Sequence, residues 1–160
     1  MPVAAGECEF TRYGFRELLS RGAIDIVQPD VSKAGGISEC KKIANLASAF
    51  NIPYAPHVWG SAVSHMATLH LAASIPNFLI CEVDRLPNPL REELILKPMQ
   101  IQNGYIKVPQ EPGLGVSGQR FRAAAALSGG VAVRSQAIFS RNWRRVRHHA
   151  GRKAGGRLKA

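Results

Sequence analysis

The sequence contains no run of 18 or more apolar residues, and its N-terminus lacks a charged region followed by an apolar one. We therefore expect neither a transmembrane helix nor a signal peptide. Cysteine is also scarce: Cys8, Cys40 and Cys81 form neither a CxxC pair nor a tight cluster. We expect three reduced thiols in a cytoplasmic protein rather than a metal or redox site.

Acidic residues are missing from residues 120–160, which hold 11 Lys/Arg. Residues 1–119 carry 10 Lys/Arg against 11 Asp/Glu, so the net charge of +10 belongs to the C-terminal segment alone. This Ala/Gly/Arg-rich segment has no sustained periodicity, and we expect a disordered basic tail after one domain of residues 1–119. Nucleic-acid binding, with Phe139 and Trp143 as stacking groups, is the alternative interpretation and not the expected one.

Short apolar runs alternate with segments of helical periodicity in the first half of the chain. One run contains Ile24, Ile26 and Val27, and Pro29 can follow it because the last residues of a strand need not donate a hydrogen bond. This alternation predicts an α/β fold with parallel strands. We expect strands at residues 3–5, 24–27, 53–56 and 77–83, and helices at residues 10–19 and 62–75.

Another helix is predicted directly after the turn at residues 33–36. Ser38 is a suitable N-cap, Asn51 can take the left-handed position that ends a helix, and Pro53 prevents continuation. The apolar residues fall at i, i+3, i+4 and i+7, the period of a helix with one buried stripe. The stripe consists of Ile43, Leu46, Ala47 and Phe50.

A titratable residue follows each predicted strand: Glu7, Asp30, His57 and Glu82, at spacings of 23, 27 and 25 residues. In a parallel βα barrel the C-terminal ends of the strands converge on one face, where catalytic side chains lie. We therefore expect these four side chains on one face. A complete barrel needs about 250 residues, so about four βα repeats predict part of a larger enzyme.

The pattern changes after residue 84 to a loop, a short helical turn and a hairpin. Asn103-Gly104 is a strong signal for a two-residue hairpin turn, and it lies between Ile101 and Ile106. Other polar residues are expected to have no part in the chemistry. These are Asp84 as a loop acid, Lys33 as a solvated lysine, and His65 and His70 as packing or surface residues.

Several stretches together resemble one known family: GE, DIVQPDVSKAGGISECKKIANLA, YAPHVWGSAV, CEVD, NPLREEL and PGLGV. Residues 3–117 are similar to the C-terminal half of a mandelate racemase/muconate-lactonising-type member of the enolase superfamily. The resemblance implies the C-terminal half of a TIM-type (β/α) barrel, followed by the hairpin and the tail.

The resemblance also implies a role for each of the four titratable residues. Glu7 matches the family's third carboxylate ligand of Mg²⁺, and Asp30 with His57 matches its Asp/His dyad. Glu82 matches the glutamate that contacts the substrate's carboxylate or the enolate formed from it. The family abstracts the proton α to a carboxylate and forms a Mg²⁺-stabilised enediolate.

The expected function is therefore that of an acid-sugar dehydratase acting on a small carboxylate substrate. A racemase or epimerase acting on a 2-hydroxy acid is the alternative within the family. The capping domain, the first two metal carboxylates and the lysine base have no counterpart in this sequence. We expect the chain to be inactive by itself, and we consider pairing with a second copy, since half-barrels can form homo-oligomers.

Overall fold

The computed structural model describes residues 1–118 in full and, further along, the backbone of residues 157–159. The predicted helices 10–19 and 62–75 are both present, the first displaced by one residue and the second three residues shorter. The elements in chain order are β1 (Ala4–Ala5), α1 (Thr11–Ser20), β2 (Ile26–Val27), α2 (Gly36–Ala49), α3 (Ala62–Ala72), α4 (Pro89–Glu92), β3 (Ile101–Gln102), β4 (Tyr105–Lys107) and β5 (Arg157–Lys159).

Four segments of the chain lie side by side, in parallel and in sequence order. Strand β1 pairs with β2, and Tyr54 forms parallel bridges to Val27 on one side and to Phe78 on the other. A helix or helical turn lies between successive segments, as expected for βα units. The joining backbone hydrogen bonds run from Gln28 N to Ala5 O (2.9 Å), from Ala55 N to Val27 O (3.0 Å) and from Leu79 N to Tyr54 O (2.9 Å).

The third and fourth segments are shorter than predicted. Residues 53–56 and 77–83 were expected to be strands, but each takes part in the ladder through a single residue, Tyr54 in the first and Phe78 in the second. Tyr54 and Ala55 lie between Pro53 and Pro56, which have no N–H to donate, so the ladder cannot extend in either direction. The continuous apolar runs in these two segments therefore do not form long strands.

Helix α2 begins earlier than predicted. Its N-cap is Gly35, at φ +112°, so Ser38 lies inside the first turn and the prediction of Ser38 as N-cap was wrong. The end of the helix is as predicted, because Asn51 takes the left-handed conformation at φ +56°. Ile43 and Ala47 of the predicted stripe are buried, whereas Phe50 at the helix end is 46% exposed.

The buried apolar side chains form two clusters. The first joins α1 and α2 to the parallel segments, and the second joins α3 to the residues after His57 and to the hairpin. The loops that follow β1, β2 and Tyr54 are therefore anchored from below by packed side chains. Completely buried members include Phe15, Val27, Ile43 and Tyr54 of the first cluster and Val58 and Leu69 of the second.

The predicted hairpin is present. Strands β3 and β4 pair antiparallel, and Asn103 and Gly104 between them have φ of +53° and +75°, as a two-residue turn requires. Residues 157–159 add β5 to β4, so the predicted disorder of residues 120–160 does not hold for these three residues. The rest of the predicted tail lies outside the described residues. Within the described residues, no helix is both long enough and apolar enough to cross a membrane.

Candidate functional site

Three of the four predicted site residues meet at the C-terminal ends of the parallel segments. Glu7 follows β1, Asp30 follows β2, and His57 follows the Tyr54 bridge. The His57 ring contacts both carboxylates: Nδ1 lies 2.9 Å from Asp30 Oδ2, and Nε2 lies 3.3 Å from Glu7 Oε2. The expected convergence of these three groups on one face is therefore observed, although their separations in sequence are 23 and 27 residues.

Asp30 is nearly buried, and both of its carboxylate oxygens have a hydrogen-bond partner. Its side chain is 4% exposed, and its Oδ1 accepts a hydrogen bond of 2.7 Å from the Ser32 N–H. Its other oxygen, Oδ2, then faces Nδ1 of His57. Because an ionised carboxylate only accepts hydrogen bonds, this pairing favours the proton of His57 on Nδ1. The second ring nitrogen, Nε2, faces Glu7 Oε2 at 3.3 Å.

Glu7 contrasts with Asp30 in its exposure. Its side chain is 57% exposed, whereas that of His57 is 12% exposed. The residue before it, Gly6, has φ +125°, and the Phe15 ring lies against it so closely that a Cβ there would be 2.6 Å from Phe15 Cε1. The backbone between β1 and Glu7 is therefore in close contact with the Phe15 ring. A carboxylate so exposed, beside a nearly buried imidazole, can bind a cation or a substrate group.

Glu82 does not join the other three residues. It is exposed, and within residues 1–118 its carboxylate makes neither a hydrogen bond nor an ion pair. The strand expected before it was predicted to be buried, but Leu79 and Ile80 are 46% and 40% exposed and only Cys81 is buried. Its assignment as a substrate contact remains a prediction.

A hydroxyl pair beside the site was missed from the sequence. Ser32 Oγ and Ser64 Oγ lie 2.7 Å apart, although they are 32 residues apart in the chain. The only local signal was the spacing of Asp30 and Ser32, since an aspartate often accepts a hydrogen bond from the N–H two residues later. Nothing in the sequence pattern indicated Ser64.

Asp84 lies in a loop, as expected, and its side chain is paired with an arginine. Its Oδ2 lies 3.0 Å from Arg91 Nη1, and the two side chains are 14% and 10% exposed. The Leu86 N–H and the Arg91 guanidinium together hold the pKa of Asp84 below its usual range. Nearby, Asn88 Nδ2 donates to Gly60 O over 3.4 Å. The loop after the fourth segment is thereby fastened to the loop that carries His57.

His65 and His70 pack as predicted. His65 is buried, with Nδ1 3.3 Å from Ser61 O and with Nε2 lacking a partner among residues 1–118. Its burial lowers its pKa from the ordinary value of 6.5. His70 is half-buried, and its Nε2 contacts Leu114 O at 3.2 Å. Neither ring takes part in the contacts of His57.

The site residues do not by themselves form a complete metal centre. Across the described part of the chain, no group of three or more His, Cys, Asp or Glu side chains could hold a metal ion. Asp30 uses both of its oxygens for Ser32 and His57. Glu7, whose side chain is 57% exposed, is the member of the site whose carboxylate is accessible to a cation.

Residues 1–121 match a protein-family model described as enolase C-terminal domain-like. The chain is 41% identical over 124 residues to D-galactarolactone cycloisomerase of Agrobacterium fabrum, covering 72% of this chain and 33% of the relative. It is 40% identical over 116 residues to D-xylonate dehydratase of Haloferax volcanii, covering 72% of this chain and 28% of that enzyme. The chain therefore spans about a third of the length of these curated relatives.

The fold comparison agrees with the sequence comparison. The chain superposes on a mandelate racemase/muconate lactonizing enzyme from Sulfitobacter sp. with a TM-score of 0.69 at 40% identity. The superposition covers 74% of this chain and 30% of the other. The resemblance described from the sequence motifs is thereby confirmed for both sequence and fold.

Proposed function

This chain belongs to the enolase C-terminal domain-like family, and from that premise we propose that it carries the acid–base histidine of an acid-sugar dehydratase. The observation that supports the proposal is the contact of one imidazole with a buried and an exposed carboxylate, His57 with Asp30 and Glu7. Relatives named as dehydratases of xylonate, arabinonate and galactonate support the substrate class. The substrate is therefore a small polyhydroxy carboxylate.

We further propose that the parallel segments are the C-terminal half of a TIM-type (β/α) barrel. Their sequence order, their parallel direction and the helices between them support this assignment. The site residues then occupy the C-terminal face, where barrel enzymes carry their chemistry. The remainder of the barrel would supply the residues found in the part of the curated relatives that this chain does not cover, about two thirds of their length.

The proposed reaction begins with removal of the proton α to the substrate's carboxylate. With Asp30 accepting from Nδ1, His57 can receive a proton at Nε2, and Asp30 stabilises the imidazolium that results. Elimination then requires a proton for the departing β-hydroxyl, and the same nitrogen can return it. In this scheme Asp30 orients the ring and compensates its charge without exchanging protons with the substrate.

Mg²⁺ is the proposed cofactor, and Glu7 would be one of its ligands. A hard cation prefers several oxygen ligands in octahedral geometry, and Glu7 fits as a single such ligand. The other carboxylates would come from outside residues 1–118, because the described residues contain no complete metal site. When bound, the ion supplies positive charge that stabilises the anion left by proton removal. Glu82 is proposed to contact the substrate's carboxylate.

The proposal can be tested by placing residues 1–118 into the matching third of the Agrobacterium fabrum cycloisomerase. Exchange of the substrate's α-proton in D₂O, followed by NMR over a panel of acid sugars, reports proton abstraction directly. We expect His57→Asn to lower the exchange rate by about 10²–10⁴-fold, and Asp30→Asn to lower it as well. Ser38→Ala, an exposed serine on α2, is the matched control. Exchange that survives His57→Asn unchanged would contradict the proposal.

Isomerisation is the second candidate, because the relatives include cycloisomerases at 41–42% identity. Mass spectrometry of the product separates the two, since dehydration removes one water and isomerisation or racemisation removes none. Racemisation of mandelate-like acids without any loss of water would overturn the assignment as a dehydratase. The proton-abstracting role of His57 is common to both outcomes.

A second copy of the chain is the proposed partner of the open sheet edges. Within the described residues, the outer edges of β1 and of the segment at Phe78 have no neighbouring strand. Exposed strand edges tend to pair with another chain. Light scattering should report a dimer. Leu79→Lys, next to the edge at Phe78, should weaken this dimer, and the control Leu96→Lys should leave it unaffected. A monomer at all accessible concentrations would refute the pairing.

Nucleic-acid binding by residues 120–160 remains an alternative role for the basic segment. Salt-dependent binding of RNA or DNA that disappears on deletion of these residues would support it. No binding at low salt would eliminate it.

A further inference from the structure

Asp30 and His57 lie on two different loops, and a second hydrogen bond joins the first of these loops to α3, the helix that follows the second loop. The loop after Asp30 contains Ser32, and the first turn of α3, seven residues after His57, contains Ser64. The two hydroxyl oxygens are 2.7 Å apart. The two segments are thus connected at two points, of which one is the Asp30–His57 contact of 2.9 Å.

Each serine is also tied to its own loop. The Ser32 N–H donates to Asp30 Oδ1 over 2.7 Å, so Ser32 and Asp30 move together. The Ser64 N–H donates over 3.4 Å to the side chain of Ser61, the N-cap of α3. A continuous set of short contacts therefore runs from Asp30 through Ser32 and Ser64 back to the segment that begins at His57.

We propose that Ser32 and Ser64 are positioning residues for the Asp30–His57 pair, an inference that rests on the acid–base role proposed for His57. One hydrogen bond between two loops permits rotation about that contact, whereas two separated contacts restrict it. Hydrogen bonds weaken steeply when the donor angle departs from linear, so the orientation of the ring depends on this restriction. The hydroxyl pair keeps the two segments in the relative position in which His57 Nδ1–H points to Asp30 Oδ2.

A competing explanation is that packing alone orients His57. Its neighbour Val58 is completely buried, and so is Tyr54 three residues before it. Ser32, in contrast, is exposed, so water can replace the partner of its hydroxyl. Water satisfies the hydroxyl but does not fix the distance between the loops. The two explanations therefore differ in what happens to the Asp30–His57 bond when the hydroxyl pair is removed.

The test uses the ¹⁵N-labelled 160-residue chain, in which NMR identifies the protonated nitrogen of His57 and measures exchange of that proton with solvent. Ser32→Ala retains the N–H that binds Asp30, so it removes the hydroxyl contact only. We expect Ser32→Ala and Ser64→Ala each to speed exchange of the Nδ1 proton about two- to tenfold, the range for loss of one net hydrogen bond. The double variant should be no faster than either single one, because both remove the same contact.

Two further variants keep the result interpretable. Ser64→Thr retains the hydroxyl and should restore slow exchange, and Ser38→Ala, whose side chain makes no hydrogen bond within residues 1–118, should leave exchange unchanged. The thermal unfolding midpoint of every variant shows whether general destabilisation accounts for an effect. Exchange unchanged in both alanine variants, additive effects in the double variant, or a wild-type ring without a proton on Nδ1 would each overturn the proposal. Because the readout is a hydrogen bond and not turnover, failure of this proposal can be distinguished from failure of the proposed reaction.

Discussion

Gly6 is the position at which a single methyl group should disturb both the fold and the site. It lies between β1 and Glu7 with φ +125°, and an added Cβ would come within 2.6 Å of Cε1 and 3.0 Å of Cζ of Phe15. The Phe15 ring is completely buried, so it cannot turn away. Gly6→Ala therefore combines an unfavourable backbone conformation with a steric clash inside the core.

The two costs can be assigned separate magnitudes. A non-glycine residue at positive φ costs about 1–2 kcal/mol, and overpacking a closely packed core costs about 1–3 kcal/mol. Together they predict a loss of about 2–5 kcal/mol in the free energy of unfolding. At about 4 °C per kcal/mol for a domain of this size, the unfolding midpoint should fall by about 8–20 °C.

Gly22 provides the matched control, because it has φ +58° and nothing within 4 Å of an added Cβ. Gly22→Ala should show the cost of the left-handed conformation alone, so the additional loss in Gly6→Ala reflects the contact with Phe15 together with the less favourable φ of +125°. Phe15→Leu in the Gly6→Ala background should recover part of that difference. Equilibrium urea unfolding followed by circular dichroism measures all four chains. A Gly6→Ala variant no less stable than Gly22→Ala would refute the reasoning.

Three further predictions concern protonation, thiol access and metal binding. Burial lowers the pKa of His65 in the folded chain, whereas the unfolded chain takes up a proton near pH 6.5. The free energy of unfolding should therefore fall as the pH drops below that value. Urea titrations at several pH values should show a weaker pH dependence for His65→Gln. Cys8 is exposed, whereas Cys40 and Cys81 are buried with pKa values raised by burial to about 11; maleimide should label one thiol in the native chain and three in urea, and three labelled native thiols would contradict this. Calorimetry should detect no micromolar Mg²⁺ binding and assays no acid-sugar turnover by the chain alone, since Glu7 is a single ligand; tight binding with turnover abolished by Glu7→Gln would prove this wrong.

The sequence alone determined the features that depend on a few neighbouring residues. Asn51 ends α2 and Asn103-Gly104 turns the hairpin because asparagine and glycine adopt positive φ at little cost, whatever the rest of the fold does. The convergence of Glu7, Asp30 and His57 was also predictable. Regular βα repeats place equivalent strand ends on one face, so the spacing in sequence became proximity in space.

The tertiary structure alone decided the contacts between distant segments and the exposure of each strand end. Two such contacts are the hydroxyl pair of Ser32 with Ser64 and the ion pair of Asp84 with Arg91. Both depend on how distant segments of the chain are brought together, which local conformational preferences do not determine. Glu82 is exposed, and the apolar run before it is buried only at Cys81. The N-cap of α2 is Gly35 rather than the predicted Ser38, and both glycine and serine are common at this position, so local preference did not distinguish them. Local propensities are worth tenths of a kcal/mol per residue, and burial of a whole side chain is worth about 1.5–3 kcal/mol, so packing overrules them where the two disagree.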